Sequence, residues 1–265
     1  MKYRTHDGFD LFYEVHNVER KLTPLVLLNG LSQSTVAWIL CLPYFKDRPV
    51  IVLDFIFQGQ SDKHAEKVRN FDEHAQDVFN LINHLNYDKI HIAGISYGSL
   101  VAQNFALNHS EYLDKLILIS SFAHKTPFYE AIELSWHRAL EFGGYPLMLD
   151  VMLPFVLSEQ YFSNPLIPID LMKQGRADLN NDPEALRKLM VATRERPDFR
   201  TFLTNIKSPT LVIHGEMDML FPVHMGEVVS KCISNSDFLV INKFGHTLNL
   251  EAPPQLAEAI NNHLK

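Results

Sequence analysis

Cysteine, long apolar runs and a strong excess of one charge are all scarce in this chain, and each shortage removes a class of protein. Cys41 and Cys232 are the only two cysteines, and neither belongs to a CxxC pair or a Cys/His ligand cluster. A disulfide scaffold and a zinc-ligand pattern are thereby removed, and the thiols are expected to be unpaired. No segment approaches the ~20 uninterrupted apolar residues of an ordinary transmembrane helix. The polar start, Met1 to Asp10, lacks the apolar stretch of a signal peptide, so a cytoplasmic protein without a membrane span is expected. A formal charge of −7 favours solubility and speaks against nucleic acid as the main partner.

What is present is a foldable chain with a repeating local pattern. At 46% hydrophobic and 21% charged it is too apolar for disorder, and 265 residues can bury one core, or a core plus a small lobe. Short runs rich in Val, Ile and Leu occur at Leu25–Leu28, Val50–Leu53, Ile90–Ile95, Leu116–Ile119, Leu211–Ile213 and Phe238–Ile241. Such runs suit strands buried on both faces of a mainly parallel sheet. Phe9–Val15 reads as part of an N-terminal hairpin opening at Asp7-Gly8. Between the runs, Ala75, Val78, Phe79, Ile82 and Leu85 share one helical face, with Asn70 and Glu73 as an N-cap pair. Pro253 and Pro254 open a last helix through Leu256, Ile260 and Leu264. Strand alternating with helix predicts a doubly wound α/β sheet.

From Phe122 to Asn205 the alternation stops. Helical patterns run from Pro127 to Gly143-Gly144, from Pro146 to Leu157 and from Pro183 to Arg194, with no convincing strand. The expectation is a helical lid (residues 122–205) over the carboxyl edge of a core formed by residues 1–121 and 206–265. The lid aromatics are expected mostly to pack it onto the core and in a few cases to line a pocket.

Gly94-Ile95-Ser96-Tyr97-Gly98 follows a predicted strand and precedes a helical pattern, the context of a nucleophile elbow. A serine needs a base to take its proton. Among 13 histidines, His246 stands on a loop directly after the last predicted strand, at the same sheet edge. His16, His64, His74, His84, His109, His137 and His263 fall in helical or surface contexts where a solvated ring is expected, His91 lies in a strand and His224 opens a helix. His124 and His214 end strands and could approach the pocket. Asp218, after the strand Leu211–Ile213, is the candidate to orient His246, with Glu216 as the alternative. The order Ser96, Asp218, His246 is the one a sheet of this kind uses. The oxyanion donors are expected to be the backbone N–H groups of Tyr97 and of Leu31, which follows Gly30. Ser32, Phe122, His124, Trp136 and Met219 are candidate substrate-pocket residues.

These residues resemble the α/β-hydrolase superfamily, in its capped esterase, lactonase and acyltransferase group, over nearly the whole chain. The likeness is carried by Leu27-Leu28-Asn29-Gly30 with Trp38, by Asp54 through Gly59-Gln60-Ser61-Asp62, and by Gly94 to Gly98. It continues with Gly215-Glu216-Met217-Asp218 and Pro222, then Gly245-His246 with Glu251 and Pro253. It implies an eight-stranded, mostly parallel sheet with a helical cap between strands 6 and 7, and chemistry without a metal or organic cofactor. The serine separates the chain from the similar haloalkane dehalogenases and epoxide hydrolases, which place an aspartate there. Three positions depart from the family pattern: Asn29 where His is usual, Ile56 where Arg is frequent, and Ser99 where many members have a second glycine. The Asn29-Gly30 and Phe57-Gln58-Gly59-Gln60-Ser61 variants are similar to the acyltransferase of rhamnolipid biosynthesis.

The expected activity is hydrolysis of a carboxylic ester, thioester or lactone with a small apolar or medium-chain acyl group, through an acyl-enzyme. One alternative is transfer of a (3-hydroxy)acyl group to a hydroxyl acceptor. An acyl carrier protein would then be a partner, since residues 171–207 hold eight Lys or Arg against five Asp or Glu. The other alternative is a non-catalytic protein that uses the fold as a ligand pocket.

Overall fold

The computed structural model describes residues 1–64, 66–179 and 182–265; Asn180 and Asn181, within the expected lid, lie outside the described residues. Eight strands form one sheet: β1 (Lys2–Arg4), β2 (Asp10–His16), β3 (Leu25–Leu28), β4 (Val50–Leu53), β5 (Ile90–Ile95), β6 (Leu113–Ile119), β7 (Thr210–Gly215) and β8 (Ser236–Ile241). Their spatial order is β1-β2-β4-β3-β5-β6-β7-β8. Among the described residues β2 alone runs opposite to the other strands, closing the predicted hairpin with β1 and pairing β4 through Tyr13–His16.

The helices are α1 (Phe71–His84), α2 (Tyr97–Asn108), α3 (Pro127–Val156), α4 (Glu159–Ser163), α5 (Ile169–Leu179), α6 (Pro183–Glu195), α7 (Arg200–Leu203), α8 (Val223–Cys232), α9 (Leu248–Glu251) and α10 (Pro253–Leu264). Asn70 and Glu73 form the expected reciprocal capping box on α1. Because side chains alternate along a strand, each apolar run feeds two cores. Val26, Leu28, Ile51 and Leu53 pack with α1 and α2 on one face. Leu25, Leu27, Val50 and Val52 pack with Trp38, Phe45 and α10 on the other. The exception is β8, an edge strand on which Asp237 and Leu239 are exposed, so its run is not buried on both faces as the sequence suggested.

Between β6 and β7 lie α3 to α7 and no strand among the described residues. The two helices expected at 127–144 and 146–157 are continuous except at Gly144, whose φ of 66° and ψ of −166° kink α3. By length and composition α3 is also apolar enough to cross a membrane, although no uninterrupted apolar run of that length occurs in the sequence. One side of it is buried, through Trp136, Leu140, Met148 and Met152. Cys41 and Cys232 are both free.

Candidate active site

The ends of the parallel strands are stitched to one another just beyond the ladder. Ser96 N–H donates to Ile119 O at 2.9 Å, Ser120 N–H to Ile213 O at 2.8 Å, and Glu216 N–H to Ile241 O at 3.0 Å. Ser96 itself sits at φ 52°, ψ −117°, a left-handed conformation that side-chain-bearing residues avoid unless their surroundings impose it. Here close packing imposes it. A Cβ on Gly94 would lie 2.3 Å from Gly98 O, and one on Gly98 would lie 2.4 Å from Leu28 O. The turn aims the N-terminus of α2 at the space in front of Ser96, where negative charge is stabilised. Ser99, the departure from a second glycine, is fully buried and hydrogen-bonds Ser96 O at 2.6 Å.

His246 Nδ1 lies 2.8 Å from Asp218 Oδ2, and both residues are buried. The other carboxylate oxygen, Asp218 Oδ1, accepts from Leu220 N–H at 3.0 Å and Phe221 N–H at 2.8 Å, so the acid is held by its own loop. Glu216, the alternative, instead accepts from Lys243 N–H at 2.9 Å. Ser120 Oγ donates to His246 O at 2.7 Å, tying the histidine loop to the end of β6.

Ser96, Tyr97, Leu31 and His246 line one small cavity of about 40 Å³. Its roof is helical: Tyr129, Trp136, Met152, Val156, Arg176 and Thr193. Neither Leu31 N–H nor Tyr97 N–H donates to a protein acceptor among the described residues. Of the five candidate pocket residues, Phe122 and Trp136 line this cavity, whereas Ser32, His124 and Met219 do not. Ser32 is buried beside it and Met219 points to solvent. His124 does not line it, and His214 is buried beneath it, where Ser121 N–H approaches Nε2 at 3.0 Å. Burial pushes the His214 imidazole down to about 4, so it stays neutral at pH 7.

Gln33 escaped the sequence patterns, and residues that the sequence names without a role acquire one here. Gln33 Oε1 accepts from Gly30 N–H at 2.9 Å, and Gln58 Nε2 donates to Gly30 O at 2.9 Å, so two glutamines grip the peptide preceding Leu31. Gln58 stands in the motif that suggested an acyltransferase; in the structure it supports a loop. Asn29 fills the place of the usual histidine by donating to Leu53 O at 2.7 Å and accepting from Trp38 Nε1–H at 3.0 Å. Glu251 Oε2 accepts from Gly245 N–H at 3.2 Å, Ser158 N–H at 3.0 Å and Ser158 Oγ–H at 2.5 Å. With Thr247 Oγ1 donating to Val156 O at 2.9 Å, it fastens the histidine loop to the end of α3. His74 and His109 are buried rather than solvated. The signal was available for His74, which shares its helical face with Val78 and Leu81. His109 stacks on Phe79 with ring centroids 4.1 Å apart.

The one group of three potential metal ligands among the described residues, His6, Asp7 and Asp77, lies outside the cavity. Arg69 bonds Asp77 at 2.9 Å and also Asp7, so a guanidinium already supplies the positive charge there.

A family model described as the alpha/beta hydrolase fold matches residues 23–143 and 171–253. The chain is 22% identical over 250 residues to a 2-hydroxymuconate semialdehyde hydrolase from Pseudomonas sp. strain CF600, covering 91% of this chain and 86% of that protein. It is 30% identical over 206 residues to 2-hydroxy-6-oxononadienedioate/2-hydroxy-6-oxononatrienedioate hydrolase 1 of Pseudomonas putida, covering 74% and 70%. A malate-bound thermophilic esterase from Thermogutta terrifontis superposes with a TM-score of 0.88 at 27% identity, over 100% of this chain and 97% of that one.

Proposed function

The chain belongs to the α/β-hydrolase fold family, and on that premise we propose that it is a serine esterase whose residues 122–205 act as a cap over a core of 1–121 and 206–265. The observation that carries this is the buried 2.8 Å contact of His246 with Asp218, on the wall of the cavity that Ser96 enters from its strained turn. Ser96 Oγ attacks the ester carbonyl as His246 Nε2 takes its proton. Asp218 keeps the Nδ1 proton of His246 in place and stabilises the imidazolium that forms. The carbonyl oxygen, now an anion, is received by the N–H groups of Leu31 and Tyr97, each such donor lowering the barrier by about 3 kcal/mol. His246 then protonates the leaving alcohol, and a water it activates releases the acyl group.

The apolar lining by Phe122, Trp136, Met152 and Leu220 suits a hydrocarbon acyl group rather than a sugar or phosphate. The test is hydrolysis of p-nitrophenyl acetate and butyrate by the wild type and by Ser96→Ala, with fluorophosphonate labelling of both. Turnover and labelling are expected in the wild type, with turnover roughly 10⁴-fold or more lower and labelling absent in the variant. A wild type that neither turns over an ester nor labels would remove serine chemistry and leave a binding protein.

A further inference from the structure

The cavity at Ser96 is too small for more than a short acyl group, yet two of its lining residues, Gln33 and Arg176, also line a second and larger space of about 290 Å³. That space is an apolar groove between residues 34–40, which follow β3, and helix α5. Val36, Ile39 and Leu40 form one wall, and Ile167, Leu171 and Leu179 the other. Val36 and Ile39 are each 55% exposed and Leu171 is 59% exposed, so the groove opens to water between large uncovered hydrocarbon side chains. Neighbouring apolar side chains left uncovered around a concavity mark a place where apolar surface is meant to be covered. Gly175 stands in this lining without a side chain, and a Cβ there would meet nothing within 4 Å. A mid-helix glycine costs about 1 kcal/mol relative to alanine, and here the space it leaves is continuous with the groove.

We infer that this groove binds the distal hydrocarbon of a long, unbranched acyl chain whose carbonyl is held at Ser96. The inference rests on the esterase proposal above and names its substrate class. The shared lining by Gln33 and Arg176, which sets the groove next to the catalytic cavity, selects the occupant, and the chemistry of the site selects which end of the ester it is. The leaving oxygen must face His246 to receive its proton. The acyl chain is the other substituent of the carbonyl, next to the Gly30-Leu31 loop, and it is the one free to run past Gln33 into residues 34–40. Gln33 is held to Gly30 by its side chain, leaving its stem to the chain, and Arg176 can lay its own methylenes along it.

The experiment compares p-nitrophenyl acetate, p-nitrophenyl decanoate and decyl acetate in the wild type, Gly175→Trp and Val36→Glu. Neither residue touches the reacting groups, and Gly175→Trp replaces a poor helix former in an open position. Filling the groove removes the burial of several methylenes, so kcat/KM for the decanoate should fall roughly tenfold to a hundredfold. Acetate turnover should stay within roughly twofold, and the melting temperature should not drop. Decanoic acid binding to Ser96→Ala, followed by calorimetry, should weaken by the same factor when Gly175→Trp is added. Acetate turnover with decanoate turnover and decanoic acid binding both unchanged by the two substitutions overturns the groove. Loss confined to decyl acetate would place the alcohol there and overturn the acyl assignment. A wild type inert on every ester whose Ser96→Ala form still loses decanoic acid binding on Gly175→Trp would overturn the esterase and keep the groove.

Discussion

At the carboxyl edge of the sheet, the turn that carries Ser96 is held by closely packed backbone. Between β6 and β7, the helices are held by side chains and by a few fastenings. The glycines show the difference. At Gly98 a methyl group would sit 2.4 Å from a carbonyl oxygen of β3, whereas at Gly175 in α5 it would meet open space. The helical region also leaves Phe142 80% exposed and Leu166 61% exposed. It joins the core at identifiable points: Thr247 to Val156, Glu251 to Ser158, and Arg196 Nη2 to Gln103 Oε1 at 2.7 Å. Chemistry that tolerates little displacement is built where neighbouring strands determine the backbone. Shape, which must fit one substrate, is built where a residue can change without moving the strands.

The largest expected effect lies on the rigid side. Asp218→Asn keeps the size of the side chain but no longer selects the histidine tautomer, and esterase kcat should fall roughly 10⁴-fold with circular dichroism unchanged. A fall of less than tenfold would assign the orienting role elsewhere. Gly98→Ala forces the elbow and β3 apart, and chemical denaturation should show a loss of about 3 kcal/mol or failure to accumulate folded protein. Full stability in that variant would mean that the close approach relaxes freely, and the contrast with the helices between β6 and β7 would weaken.

At the fastening between the regions, Glu251→Ala strands the Gly245 and Ser158 N–H donors. The expected cost is about 2 kcal/mol, with kcat reduced because the histidine loop loosens. Glu251→Gln should restore part of both. In the helices between β6 and β7, burial raises the Glu133 carboxyl to about 7, against the lowering influence of Lys125 and Arg194 and with Glu130 adding to the rise. The folded protein therefore keeps this proton while the unfolded chain loses it, and stability should decline as pH rises from the ordinary carboxylate range through about 7. Urea midpoints of the wild type and Glu133→Gln should diverge as pH is raised from 5 to 8, in favour of the variant by on the order of 2 kcal/mol after screening. A gap independent of pH would show that the carboxyl titrates normally. The smallest effect is Gly175→Ala, expected to stabilise the protein by about 0.5–1 kcal/mol in the same denaturation assay; a destabilisation would show that the space beside α5 is filled in solution.

The strand runs at 25–28, 50–53 and 90–95 match β3, β4 and β5 residue for residue, because a strand covered on both faces needs an unbroken apolar run and little else can produce one. The cap box at Asn70 and the proline entry at Pro253 are equally local and equally legible. The sequence pattern does not delineate helix α5, because exposed Leu171 and Gln174 and half-buried Lys173 interrupt its apolar face. The break that the sequence places at Gly143-Gly144 is present in α3, where Gly144 leaves helical φ/ψ and the two helices meet at a kink.

The same division holds for the site. The sequence by itself determined the residue types and their order along the chain: a serine between glycines after a strand, an acid and a histidine each on a later strand-end loop. Such signals are local, because they depend on what a few consecutive residues can do. Only the tertiary structure decided that Asp218 rather than Glu216 faces His246, that Phe122 and Trp136 line the cavity while Ser32, His124 and Met219 do not, and that Gln33 and Gln58 grip Gly30. Those outcomes depend on distances between residues far apart in the chain, and they are set by strand order and by how the helices after β6 fold back over the sheet.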